Sequence, residues 1–193
     1  MTPPPESRGT TAAVVLAAGL GARFAGVAPK LLAPVRGRPL AAWSLDAAAA
    51  AGLDELIVVV GQTDLRSVMP PEARVVVNPD APSGQATSLA VALAAAASSG
   101  HDAVVVGLAD QPGVPAEAWR RVAAADSPVA TATFAGRRRP PVRLHTSIWP
   151  LLARTGDEGA RRLMRERPDL VAEIPCDGRP GDVDTVEDLE AWT

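Results

Sequence analysis

The sequence is poor in the residues that build many kinds of site. It has one cysteine, Cys176, two histidines, His101 and His145, one lysine, Lys30, and no tyrosine. A lone cysteine excludes an intramolecular disulfide and any multi-cysteine metal centre, and two histidines leave no room for a His-rich one. Cys176 has no evident histidine partner, which argues against a nucleophilic thiol. No apolar run approaches the ~20 residues that span a bilayer. Met1 to Gly9 is polar, with three prolines, and lacks the basic-then-apolar order of a signal peptide. The formal net charge is -3, so a broad nucleic-acid-binding surface is excluded, though a local basic pocket is not. These absences leave a cytoplasmic protein with neither a membrane nor a nucleic acid as partner.

What is present fits one globular domain. The chain has 193 residues, 47% hydrophobic and 21% charged, enough to bury a core without staples. Alanine occurs 38 times, and 18 of the 19 basic residues are arginine. Against that bias Lys30 marks a position where a compact point charge on a flexible stem is needed, which the planar guanidinium does not reproduce.

Apolar β-rich runs alternate with alanine-rich helical stretches. Strands are expected over 11–17, 56–60, 74–77, 103–108, 129–134, 142–145 and 170–174. Helices are expected over 39–51, 83–99, 115–125, 157–166 and 185–192. Ser83 is the expected N-cap of the long helix, Gly100 its stop, and Gly136 to Arg139 a turn. Strands apolar throughout, alternating with helices, predict a single-domain, three-layer α/β/α Rossmann-like fold. Its sheet is mainly parallel and mixed, with one antiparallel strand near 129–145. The four tryptophans read as core, edge or sheet packing.

In open α/β sheets ligands bind beyond the carboxyl ends of the strands, so three loops matter. Leu16-Ala17-Ala18-Gly19-Leu20-Gly21-Ala22-Arg23-Phe24, followed by Pro29-Lys30-Leu31-Leu32, lets backbone N–H groups turn toward phosphate oxygens, with Arg23 and Lys30 adding charge. It is not a P-loop, which needs Gly-Lys-Ser/Thr, nor a dinucleotide fingerprint, since Phe24 stands at the third glycine position. Asp110, in Leu108-Ala109-Asp110-Gln111-Pro112, puts a carboxylate at the tip of a central strand, a position suited to Mg2+ or to capping the turn before Pro112. Asp182-Val183-Asp184-Thr185 opens the last helix. Asp184 is either its N-cap, with Glu187 as capping-box partner, or a second metal ligand, and Asp182 is an alternative for that second role.

With these motifs on the page, the chain resembles nucleotidyltransferases of the molybdenum-cofactor type, and among them the cytidylyltransferases. The likeness runs from the Leu16–Gly21 loop with Arg23, Phe24 and Lys30-Leu31-Leu32 through Pro82-Ser83-Gly84-Gln85 with Ser88. It continues through Asp110-Gln111-Pro112 and Gly156-Asp157-Glu158-Gly159-Ala160-Arg161 to Asp182-Val183-Asp184-Thr185. The chain departs in two places: Arg139-Pro140-Pro141-Val142 stands where members often carry a Gly-His-Pro-Val-like run, in the region of the acceptor, and Ala109 precedes Asp110 where glycine or cysteine is more familiar.

The resemblance implies a flexible N-terminus over 1–10 and one NTP transferase domain over 11–193. It implies transfer of a nucleoside monophosphate, CMP from CTP, to the phosphate of molybdopterin, with release of pyrophosphate. Lys30, Arg23 and Asp110 would be catalytic. Leu16, Ala17, Ala18, Gly19, Leu20, Gly21, Arg23, Lys30, Gly84, Gln85 and Ser88 would bind nucleotide, with Ala18 beside the base and leaning toward a pyrimidine. Asp110 and Asp184 would hold Mg2+. A recipient molybdoenzyme or its chaperone would be a further partner. The alternatives are the same chemistry on a sugar, polyol or phospholactate acceptor, or a nucleotide-binding module without catalysis.

Overall fold

The computed structural model of the chain describes residues 9–21, 23, 24 and 28–192. The expected flexible stretch at 1–8 therefore lies outside the described residues, as does Ala22 of the first loop. Thr10, by contrast, is tied in: its N–H donates to Asp102 Oδ2 at 3.1 Å and its Oγ1 meets His101 Nδ1 at 2.9 Å.

A seven-stranded sheet forms the middle layer. Its strands are β1 (Thr11–Ala17), β4 (Glu55–Val60), β5 (Arg74–Val77), β6 (Ala103–Leu108), β7 (Val129–Phe134), β8 (Arg137–His145) and β9 (Val171–Pro175). A separate two-stranded ribbon joins β2 (Pro34–Val35) to β3 (Arg38–Pro39). The sheet order is β5-β4-β1-β6-β8-β7-β9. Only β8 runs antiparallel to its neighbours, as the alternation of elements predicts.

The strands read as unbroken apolar runs because both faces are covered. Successive side chains point to opposite faces, so Ala13, Val15, Val58 and Val105 enter one core, while Val14, Ile57, Val59 and Val104 enter the other. Fully burying one such valine or isoleucine contributes about 2 kcal/mol, and Val14→Asp on β1, buried on both sides by β4 and β6, is the change that would break the sheet. Helices α1 (Leu40–Ala50) and α3 (Ala116–Ala123) cover the first face, with Trp119 sealed between α3 and the sheet. Helix α2 (Gln85–Ser98) covers the second through Ala86, Leu89, Leu93 and Ala96, one stripe at helical spacing, with α4 (Arg161–Glu166) beside it. A short α5 (Val186–Glu190) closes the chain. No helix among the described residues is long and apolar enough to cross a membrane.

Element ends depart from the sequence reading where tertiary contacts replace local signals. Ser83 is not the N-cap of α2. It closes a 3-10 turn, and Gly84 takes the cap position with φ +107°. The open N–H of Ala86 is instead satisfied by the carbonyl of Gly156, 2.9 Å away. At the other end Gly100 (φ +76°) does stop the helix, its N–H bonded to Ala97 O and that of His101 to Ala96 O. Helix α4 begins at Arg161 rather than Asp157, because the glycine-rich segment before it docks on α2. The turn between β7 and β8 is Ala135-Gly136, both with positive φ, so Arg137 to Arg139 are strand residues. Finally, Asp184 is not the cap of α5. Thr185 accepts from the Asp188 N–H, and Asp188 accepts in return from the Thr185 and Asp184 N–H groups, a complete capping box one residue later than expected.

Candidate active site

Sheet topology sets the location. From β1 the chain leaves to one side toward β4 and β5, then crosses to the other side at β6. The crevice at that reversal lies between the carboxyl ends of β1 and β6. A cleft of about 490 Å³ opens there. Its wall brings together Leu16, Ala17, Ala18, Gly19, Leu20 and Gly21 after β1 with Arg23 and Lys30. Gly84, Gln85 and Ser88 at the start of α2 and Asp110 after β6 complete it. Two of these positions require glycine. A Cβ on Gly21 (φ +60°) would stand 3.0 Å from that of Lys30, and one on Gly84 would stand 2.5 Å from the Gly156 carbonyl oxygen.

The charged centre is a lysine held between two carboxylates. Lys30 Nζ lies 2.7 Å from Asp110 Oδ2 and 2.9 Å from Asp184 Oδ1, and Arg23 reaches Asp184 Oδ2 at 2.9 Å. The lysine side chain is 11% exposed and the arginine 76%, so one is fixed in the floor and the other stands in solvent at the mouth. Burial alone would lower the Lys30 pKa, but the two carboxylates outweigh it and raise it, so the ammonium stays charged. Burial raises the Asp110 pKa. Lys30 opposes that shift, and the nearby Asp182 and Asp184 carboxylates add to it. Asp110 is thus a carboxylate kept in a position where its charge is costly.

The arrangement fits a hard divalent cation. Asp110 Oδ1 is buried and has no hydrogen-bond partner, which leaves one oxygen of that carboxylate uncompensated. Among the described residues no group of three or more His, Cys, Asp or Glu forms a metal cage. A cation on Asp110 and Asp184 would therefore complete its shell with phosphate oxygens and water, the habit of Mg2+. Asp182 is engaged elsewhere, its Oδ1 accepting from Gln111 Nε2 at 2.6 Å.

The rest of the wall is prepared for a ligand. Among the described residues no backbone N–H of Gly19, Leu20 or Gly21 donates to a protein acceptor. The Gln85 side chain likewise makes no hydrogen bond among them, whereas the Ser88 hydroxyl already accepts from Asn78 Nδ2 at 2.9 Å. Two residues to which the sequence reading gave no site role belong here. Asn78, 2% exposed, ties β5 to α2 through Thr87 and Ser88. Asp157 reaches the cleft beside Gly84. The Asn-Pro-Asp run at 78–80 was the available signal for the first. The Gly156–Arg161 run was the signal for the second, but its place in the cleft depends on the segment before α4 folding back.

Residues 13–171 match the MobA-like NTP transferase domain. The chain belongs to this family. Among relatives, the purine catabolism protein PucB of Bacillus subtilis is 32% identical, the alignment covering 92% of this chain and 93% of PucB. The crystal structure of Rv0371c from Mycobacterium tuberculosis is 30% identical with a TM-score of 0.81, covering 95% of this chain and 97% of that one. Rv0371c has also been solved as a complex with manganese. A nucleotidyl transferase from Methanothermobacter thermautotroptrophicus is 26% identical, with a TM-score of 0.77 over 95% of this chain and 96% of that one. The MobA-like assignment bears out the resemblance to molybdenum-cofactor-type nucleotidyltransferases, and with it a nucleoside triphosphate as substrate.

Proposed function

We propose that this MobA-like transferase moves CMP from CTP to the phosphate of molybdopterin and releases pyrophosphate. The observation that carries the reading is the Lys30 ammonium, clasped by Asp110 and Asp184 at the floor of a cleft bordered by a glycine loop with free N–H groups. In the reaction an acceptor phosphate oxygen forms a bond to the α-phosphorus. The bond from that phosphorus to the bridging oxygen of the β-phosphate breaks, and pyrophosphate leaves with the electron pair. The nucleophile is already ionised, so no general base is required, in keeping with the scarcity of histidine. What the protein must supply is charge neutralisation and in-line alignment.

Each residue of the cleft contributes to one or the other. The N–H groups of Gly19, Leu20 and Gly21 bind phosphate oxygens. Lys30 and Arg23 hold the triphosphate and balance the charge developing on the leaving group. Ala18 lies against the base, and Gln85 and Ser88 meet base or ribose. Asp110 and Asp184 would hold Mg2+, which would supply Lewis-acid polarisation of the α-phosphate and screening of the second anion. That the relative Rv0371c has been solved with manganese supports a divalent ion in the reaction. A recipient molybdoenzyme or its chaperone would take the product in the cytoplasm.

Pyrophosphate release tests the reading. With Mg2+ and CTP it is expected only when molybdopterin is present. Release with a sugar or polyol phosphate and none with molybdopterin would replace the acceptor and leave the nucleotide chemistry in place.

A further inference from the structure

A second cavity, about 440 Å³, adjoins the nucleotide cleft across Leu108, which lines both. Its origin is in the sheet. β6 pairs with β8 only as far as Val106 opposite Val142. Beyond that pair β8 reaches Pro141 and Pro140, which have no N–H to donate, and its register with β7 jumps from Thr131–Val142 to Ala132–Arg139. The carboxyl end of β6 is thereby left open on the side toward α4, and the gap is the cavity.

The arginines around it fall into two groups. Arg138 is neutralised by Glu173 at 2.7 Å and Arg165 by Glu158 at 3.1 Å. Arg139 and Arg161 also line this space, one from β8 and one from the start of α4. Among the described residues neither makes an ion pair. The Arg139 backbone is fixed from within, its carbonyl accepting from the buried Thr131 hydroxyl at 3.3 Å. On the same cavity wall, Asp182 is held by Gln111, itself 2% exposed. A cavity with two guanidinium groups outside any ion pair, Arg161 feeling Glu158 only at longer range, and a fixed carboxylate is electrically polar. It accepts an anion on the arginines and turns hydrogen-bond donors of the same molecule toward Asp182.

We propose that Arg139 and Arg161 form the phosphate clamp for the acceptor, so that this cavity takes a phosphate monoester whose body bears N–H or O–H donors. The inference rests on the transferase reading of the neighbouring cleft and deepens it: the clamp holds the attacking phosphate next to Leu108 and Asp110, where the α-phosphorus is presented.

Inorganic phosphate is the direct probe. It is titrated, with 31P line width or calorimetry as readout, into protein whose nucleotide cleft is filled with CTP in the absence of divalent metal. Arg139→Gln and Arg161→Gln are each expected to weaken phosphate binding about tenfold, Lys at either position to restore part of it, and Arg137→Gln, outside the cavity, to leave it unchanged. With molybdopterin as acceptor, the same two variants are expected to raise its KM about tenfold or more while the KM for CTP stays put. Absence of phosphate binding by the wild type, or equal binding by the Arg139→Gln/Arg161→Gln double variant, overturns the clamp. Failure of CTP to bind at all would instead strike the nucleotide reading, and the phosphate titration would still report on the second cavity.

Discussion

At Asp110 a single side chain sets function against stability. Burial raises its pKa, with Asp182 and Asp184 adding to the shift against the pull of Lys30. A raised carboxyl pKa gives stability that is present in full below the ordinary Asp range and is lost as pH rises through the folded value. Asp110→Asn removes that charge while keeping its shape. The expected result is loss of nearly all transfer with a melting temperature unchanged or up by about 2–4 °C, roughly 1 kcal/mol for a chain of this size. A drop of several degrees would show that the ionised carboxylate stabilises the fold. The same sign applies to catalysis, since the ionised form is the working one: the acid limb of the rate profile at low metal should lie above the ordinary Asp range and move down as Mg2+ is raised. Lys30 makes the complementary case. Its side chain is fixed by two carboxylates at once, and Lys30→Arg should recover only part of the activity lost in Lys30→Ala, because a planar fork cannot sit between them as a point charge does. A fully active arginine variant, measured by pyrophosphate release, would refute that.

Among the elements, the strands were legible and the helix starts were not, and the reason is the range of the forces involved. Ile57, Val58 and Val59 announce a strand covered on both faces because burial acts on every residue of the run. A helix start depends on one or two hydrogen bonds, and in α2 those come from Gly156, far along the chain. The serine at 83 has the chemistry of a cap and is bypassed. Asp184 has it too, and is released for Lys30 by the Thr185–Asp188 box. The residues that line the cleft were largely legible, because Gly19, Gly21, Lys30, Gln85 and Asp110 lie in short motifs of the loops and turns that follow strands. The second cavity was not, since it needs β8 and α4 brought together. These differences are measurable. Ser83→Ala should leave stability within about 0.5 kcal/mol, while Thr185→Ala should cost about 1 kcal/mol. Gly84→Ala should cost about 1–3 kcal/mol through its positive φ and the clash with Gly156, and should weaken CTP binding as well, since Gly84 borders the nucleotide cleft. Equal losses from Ser83→Ala and Thr185→Ala in denaturant unfolding would restore the serine as a cap.

On the scale of the whole molecule, the reversal of strand order around β1 opens two cavities on either side of one residue, Leu108, and on the proposed reading these would hold two reactants that repel each other. The net charge of -3 does not prevent anion binding, because the cations that matter are concentrated at the carboxyl ends of β1 and β6 and along β8. Base choice belongs to the same scale, since it is made where the β1 loop passes the end of β4. Ala18 is 5% exposed and lines the cleft, and its carbonyl oxygen would lie 2.9 Å from a Cβ on Gly61. The loop therefore cannot retreat toward β4 to make room for a larger base. If the base lies against Ala18 as proposed, its methyl group would fill space that a purine needs, and a cytosine would leave it undisturbed. In competition at equal concentration CTP should be used at least about tenfold faster than GTP, roughly 1.4 kcal/mol of discrimination. Ala18→Gly should narrow that ratio without inverting it, because Gln85 on α2 still faces the cleft. Product analysis from a mixed-nucleotide reaction reads both numbers. A wild-type preference for GTP would remove cytidylyl transfer and leave nucleotidyl transfer intact, since the roles proposed for Lys30, Asp110 and Asp184 are toward phosphates and do not depend on the base.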